Sequence, residues 1–205
     1  MINDIKFIKE RKLMKDDQQI TLREYEKRIT FFDPYKKQNK LFFRGQLTKY
    51  ENMNPTIARN KENLNKEHQF FEQYQKKDKS DFQNLAYQQH NGGLTRILDM
   101  TTDPLVALFF AVNNNERADS SVFVFIRENV SADSLEAKLM SFIPTVSSRE
   151  VYVIVDQFNE KYNCSLTVER ATNILSHDLF ITPNTLIDND NERMKEQKGT
   201  FETVK

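Results

Sequence analysis

The sequence predicts a single α+β domain, residues 1–205, in which short mixed and antiparallel strands pack with helices. Three observations predict it. The chain has 205 residues, enough for one domain with a sizeable core. It carries 16 Phe and 7 Tyr, residue types that disordered chains lack, although only 38% of it is hydrophobic. Its apolar residues also change period, with helical spacing over most of the chain and short β-rich runs between.

From the N-terminus, "MINDIKFIKERKLMKDD" is charged and lacks an apolar core of leader length. Leu22, Tyr25, Ile29 and Phe32 then fall at helical spacing, with Thr21 as the cap and Glu24 three residues on. Pro34 is expected to end that helix. "KLFFRGQ" predicts a short strand running into Gly45, and "PTIARN" an extended loop. "NLNKEHQFFEQYQKK" predicts one amphipathic helix, apolar at Leu64, Phe70, Phe71 and Tyr74. "SDFQNLAYQQH" predicts a second, capped by Ser80 and stopped at Asn91-Gly92-Gly93. "LTRILDM" should be extended. Asp103 then caps a helix with Pro104 in its first turn, and the apolar run that follows is expected to be buried on nearly every side.

"SSVFVFIREN" predicts a strand, with Val122, Phe123, Val124, Phe125 and Ile126 as its buried run. "ADSLEAKLMSFI" predicts a helix. "SREVYVIVDQFNEKYN" fits both periods, and its apolar residues at 151, 154, 155, 158 and 162 favour helix. "SLTVERATNILS" predicts a further helix, "HDLFITP" a strand, "NDNERMKEQK" a polar connection and "GTFETVK" a terminal strand.

Composition removes several function classes. Lys+Arg and Asp+Glu balance at 30 each, so the chain has no overall electrostatic footprint for nucleic acid or membrane. The lone Cys164 excludes an internal disulfide and a cysteine-based zinc site, and suits a reducing compartment. No run approaches the length of a membrane span. A cytoplasmic protein without a membrane partner is expected, and no metal set stands out: His68 lies on a charged helix and reads as solvated, and His177 has no partner at ligand spacing.

All 4 glycines fall in three polar stretches, and these hold the candidate chemistry. In the first, Arg44 follows two phenylalanines on a strand. A guanidinium fork there suits a phosphate or carboxylate, and Gly45 permits close backbone approach; an internal ion pair is the plainer role for Arg44. The second, "QQHNGGLTRILDMTTDP", brings His90, Thr95, Arg96, Asp99, Thr101, Thr102 and Asp103 up to the start of an apolar helix, where anions and polar ligand groups bind. Asp103 is most simply an N-cap, Arg96 and Asp99 could pair, and the two glycines could form only a turn. The third, Glu196-Gln197-Lys198-Gly199, either projects into a cleft or forms a solvated hairpin.

Taken together, "FFRGQ", "PTIARN", "QQHNGGLTRILDMTTDPLVALFFA" and "NERMKEQKGTF" resemble the FRG domain. The middle stretch matches at Gln89, His90, Gly92, Thr95, Arg96, Leu98, Asp99, Thr101, Pro104, Ala107 and Ala111, while Asn91 replaces an aromatic and Met100 a tryptophan. The resemblance covers approximately residues 41–128 and 178–203, leaving approximately 130–177 as a helical insertion. The family's motif order is in turn similar to that of the ADP-ribosyltransferases. That analogy implies their fold, NAD as cofactor, Arg44 on the pyrophosphate, and Asp99, Thr101 and Thr102 about the nicotinamide ribose. It places Gln197 where those enzymes carry a late Glu or Gln. Glu196 is adjacent but on the opposite strand face, and Glu202 lies further on.

The implied activity is transfer of ADP-ribose to a protein or nucleic-acid acceptor, by an intracellular toxin or phage-defence effector with an antitoxin or other regulatory partner. The alternative is a non-enzymatic nucleotide- or partner-binding module in which Arg44 anchors a structural polar network.

Overall fold

A computed structural model describes residues 4–9, 12–16, 21–38, 40–47, 53–113, 120–182 and 199–203. In chain order the elements are β1 (Asp4–Lys9), β2 (Lys12–Asp16), α1 (Leu22–Thr30), α2 (Asp33–Lys36), β3 (Leu41–Gln46), a 3₁₀ turn (Thr56–Arg59), α3 (Lys61–Leu64), α4 (Glu67–Tyr74), α5 (Asp81–His90), β4 (Ile97–Thr101), α6 (Pro104–Val112), β5 (Ser121–Ile126), β6 (Asn129–Ser131), α7 (Leu135–Phe142), a second 3₁₀ turn (Ile143–Thr145), α8 (Val151–Tyr162), α9 (Val168–Leu175), β7 (Leu179–Thr182) and β8 (Gly199–Thr203). The fold is α+β with short, mixed strands and packed helices, as the sequence predicts. The chain divides into two compact units, one of Met1–Met53, Asp99–Asn129 and Asp188–Thr200, the other of Asn54–Leu98, Val130–Ile187 and Phe201–Lys205.

In the first unit the strand order is β2-β1-β5-β3-β4. β1 runs parallel to β5, and the β1–β2, β3–β5 and β3–β4 pairs are antiparallel. β3 and β5 alternate strictly. Leu41, Phe43, Val122 and Val124 join Tyr25 and Ile29 of α1 and Ala107, Leu108 and Ala111 of α6 in one core. The Tyr25 hydroxyl donates to the Pro104 carbonyl (2.6 Å), tying α1 to the first turn of α6. Burial, with a smaller contribution from the Asp103 charge, raises the pKa of that phenol well above its ordinary value.

In the second unit β8, β7 and β6 are neighbours in that order, with β7 and β8 antiparallel. Residues 130–177 are mostly helical. α7, α8 and α9 share a core of Leu139, Phe142, Val146, Ile154, Val155, Phe158, Leu166, Ala171 and Ile174. Asp81 at the start of α5 accepts from Lys161 Nζ at 2.7 Å and from the Tyr162 hydroxyl at 2.7 Å, which fastens α5 to the end of α8.

The structure corrects several local expectations. The charged N-terminal stretch, for which the sequence predicts no element, forms β1 and β2, because pairing with β5 supplies backbone partners that no local pattern reveals. Pro34 lies in the first turn of α2 and opens it, where its missing N–H is of no consequence. "PTIARN" holds a 3₁₀ turn, with the Ile57 N–H bonded to the Thr95 carbonyl. The helix expected over residues 63–77 is broken into α3 and α4. There Arg149 Nη2 donates to the Leu64 carbonyl (2.6 Å), taking an acceptor that a continuous helix would use itself. α6 is not buried all round: Leu105, Phe109 and Val112 are 53%, 54% and 45% exposed, because only one face of the helix meets β3. His68 is held rather than solvated, its Nδ1 being 3.0 Å from the Pro144 carbonyl and its Nε2 3.5 Å from Glu72.

Candidate functional site

The first unit carries Arg44, Gly45, Asp99, Thr101, Thr102 and Asp103 on β3, β4 and the turn after it. Along β3, Phe43 and Gly45 face α6, so Phe42, Arg44 and Gln46 face the other way. Gly45 is fixed by contact. A Cβ there would sit 1.8 Å from the Ala107 carbonyl oxygen and 2.8 Å from the Ala111 nitrogen, so strand and helix backbones touch. Two small residues on α6, Ala107 and Ala111, allow that approach.

Arg44, half-buried, is therefore launched from a backbone pinned on its other side. Its Nη1 donates to the carbonyl of Asp99 on β4 (2.5 Å). β4 pairs with β3 through Phe43 opposite Thr101, which brings Arg44, Asp99 and Thr101 onto neighbouring strands. Thr101 is buried, and its Oγ1 accepts from the Asp103 N–H (3.0 Å). Asp103 in turn caps α6, accepting from the Leu105 N–H at 2.9 Å, the role its position predicted. Thr102 is half-buried between the two.

The second unit carries His90, Thr95 and Arg96. Thr95 is fully buried and forms the centre of a polar knot. Its hydroxyl donates to Gln89 Oε1, its N–H donates to Thr56 Oγ1 (2.9 Å), and its carbonyl accepts from the Ile57 N–H (3.2 Å). Gln88 closes the turn, donating from Nε2 to the Leu94 carbonyl (2.8 Å) while its own carbonyl accepts from Gly93 N–H (2.9 Å). Gly92 makes that turn with φ 77°, a conformation favouring glycine.

Arg96 is locked. Its Nε and Nη2 grip Glu67, 2% exposed, at 2.6 and 2.5 Å, and Arg149 Nη1 reaches the same carboxylate at 2.9 Å. His90 packs edge-on against Phe201, ring centres 5.9 Å apart. Glu67 and Arg149 were not singled out from sequence. Their pairing with Arg96 spans separations that no spacing rule covers, and Arg149 lies in the stretch without family resemblance.

Glu196 and Gln197 lie outside the described residues. Glu202 is buried on β8, opposite Phe180 of β7. Among the described residues no group of three or more His, Cys, Asp or Glu could hold a metal ion, and no helix is long and apolar enough to cross a membrane.

Residues 39–120 match the family model of the FRG domain. That span contains β3 with Arg44 and Gly45, the Thr95 knot, β4 and α6. No curated protein and no solved structure matches the chain.

Proposed function

We propose that this chain binds NAD through Arg44 and transfers its ADP-ribose to a protein or nucleic-acid acceptor, as an intracellular toxin or phage-defence effector under the control of a regulatory partner. The observation that carries the reading is the mounting of Arg44. Its guanidinium is oriented by the Asp99 carbonyl, and its strand is immobilised by the Gly45–α6 contact. A planar fork so held suits a diphosphate, and the FRG-domain match over residues 39–120 supports the assignment.

NAD, when bound, supplies a nicotinamide leaving group whose departure builds positive charge on the ribose. This chain's own contribution is to bind and orient. Arg44 holds the anionic end, and the Thr101–Asp103 turn fixes the backbone between β4 and α6 beside it. The test is titration calorimetry with NAD. Arg44→Ala should lose binding at least tenfold while keeping the parent's circular dichroism and unfolding midpoint to within a few degrees. Parent and variant binding NAD equally would end the reading.

A second reading, a module that binds a nucleotide or partner without chemistry, is favoured by one observation. Thr95, Arg96 and Thr101, all part of the family motif, are engaged in internal hydrogen bonds. It predicts NAD binding without release of nicotinamide during prolonged incubation.

A further inference from the structure

In the first unit Gln46 Oε1 and Ser121 Oγ are buried without a hydrogen-bond partner among the described residues. They are not scattered. Gln46 stands opposite Ser121 in the β3–β5 register, so the two side chains share a face of the sheet. By strand alternation it is the face that carries Arg44, two residues back along β3 and about 7 Å away at the rise of an extended chain. Ser121 itself is fully buried. Buried polar groups are nearly always paired, and each exception needs an account.

We infer that Gln46 and Ser121 form a hydroxyl-recognising subsite beside Arg44, taking the sugar of a phosphorylated sugar or nucleotide. The inference rests on the proposed anion-binding role of Arg44 and names what lies next to the anion. A Gln carbonyl oxygen only accepts, whereas a Ser hydroxyl both donates and accepts. A fully ionised phosphate offers Gln46 no donor. A sugar hydroxyl donates to Gln46 Oε1 and accepts from Ser121 Oγ at once, satisfying both atoms. The spacing along β3 puts this pair one sugar away from a phosphate on Arg44.

The experiment uses the full chain with two probes, inorganic pyrophosphate and ADP-ribose, titrated into the parent, Gln46→Met, Ser121→Ala and Arg44→Ala. Methionine keeps the length of glutamine and removes the acceptor. Both subsite variants should weaken ADP-ribose at least tenfold and leave pyrophosphate unchanged, whereas Arg44→Ala should weaken both. Their unfolding midpoints without ligand should hold or rise, since an unpartnered polar group has been removed.

Unchanged ADP-ribose affinity in both variants would overturn the inference, as would equal losses for the two probes. Lowered midpoints with no selective loss would also overturn it, and would mean that the two side chains bond to each other. Pyrophosphate binding that needs Arg44, with ADP-ribose no tighter, would sink the sugar subsite and leave the Arg44 reading standing. No binding of either probe to the parent would sink both.

Discussion

Arg44 and Arg96 are the two arginines of the family-matched span that sequence reasoning singled out, and the structure treats them differently. Arg96 is gripped by both oxygens of a buried carboxylate, with Arg149 on the same acid. Arg44 gives one N–H to a peptide carbonyl, on a strand whose far side touches a helix backbone. A bidentate ion pair spends the directional capacity of a guanidinium on the fold. At Arg44 a carbonyl orients the fork. The comparison separates an arginine held by a carboxylate from one oriented by a carbonyl, and it is the second that is proposed to meet the ligand.

The largest expected effect is at the structural pole. Glu67→Ala should cost about 3–5 kcal/mol in chemical denaturation, because it strands the largely buried Arg96 without its acid. Arg149→Ala should cost about 1 kcal/mol or less, since that side chain is 39% exposed. Equal losses from the two would mean that the Arg96 grip is not what holds this corner. Next comes Gly45→Ala, expected to cost about 3 kcal/mol, the upper end for overpacking. The atoms in the way are α6 backbone and cannot rotate aside, so α6 must lift from β3. A fully stable Gly45→Ala variant would refute the close approach on which the mounting of Arg44 depends.

How much of this was legible beforehand depended on whether the signal was local. Caps and turns act within four residues, and Thr21, Ser80, Asp103 and Gly92 all do what their positions predict. The helical choice for "VYVIV" also held, because its apolar residues span three turns of α8. Non-local determinants were not legible. β1 and β2 exist through pairing, α3 and α4 separate where a distant Arg149 takes a carbonyl, and α6 is half-exposed because one sheet face covers one helix face. The site divides the same way: sequence picked out Arg44 and Arg96, and only coordinates distinguish an Asp99 carbonyl from a Glu67 carboxylate as their acceptors.

A smaller effect is expected at Arg44. Arg44→Ala should cost about 1.5 kcal/mol, the low end for a hydrogen bond from a charged donor because the side chain is only half-buried, against several for Glu67→Ala. Urea unfolding of the two variants side by side measures the ratio. A loss at Arg44 equal to that at Glu67 would make it a structural arginine after all, and the second reading of function would then gain.

The finest test uses pH on the contact that seats α6 beside Arg44's strand. The Tyr25 phenol is fully buried and donates to Pro104, and burial and Asp103 raise its pKa. In the unfolded chain it ionises near pH 10, while in the folded chain it keeps its proton to higher pH. Between those values the folded state binds more protons, so stability is fully present below about pH 10 and is lost as pH rises beyond it. Tyr25→Phe removes the hydrogen bond and this titration together. The parent's advantage over Tyr25→Phe should be flat, at about 1 kcal/mol, up to about pH 9, and should shrink above about pH 10. Tyr162, raised by burial and by its bond and charge interaction with Asp81, gives the matching control in the other unit. If the parent–variant gap at Tyr25 stays constant to pH 11, the phenol is not sealed as described, and the seat of α6 is looser than the Gly45 contact requires.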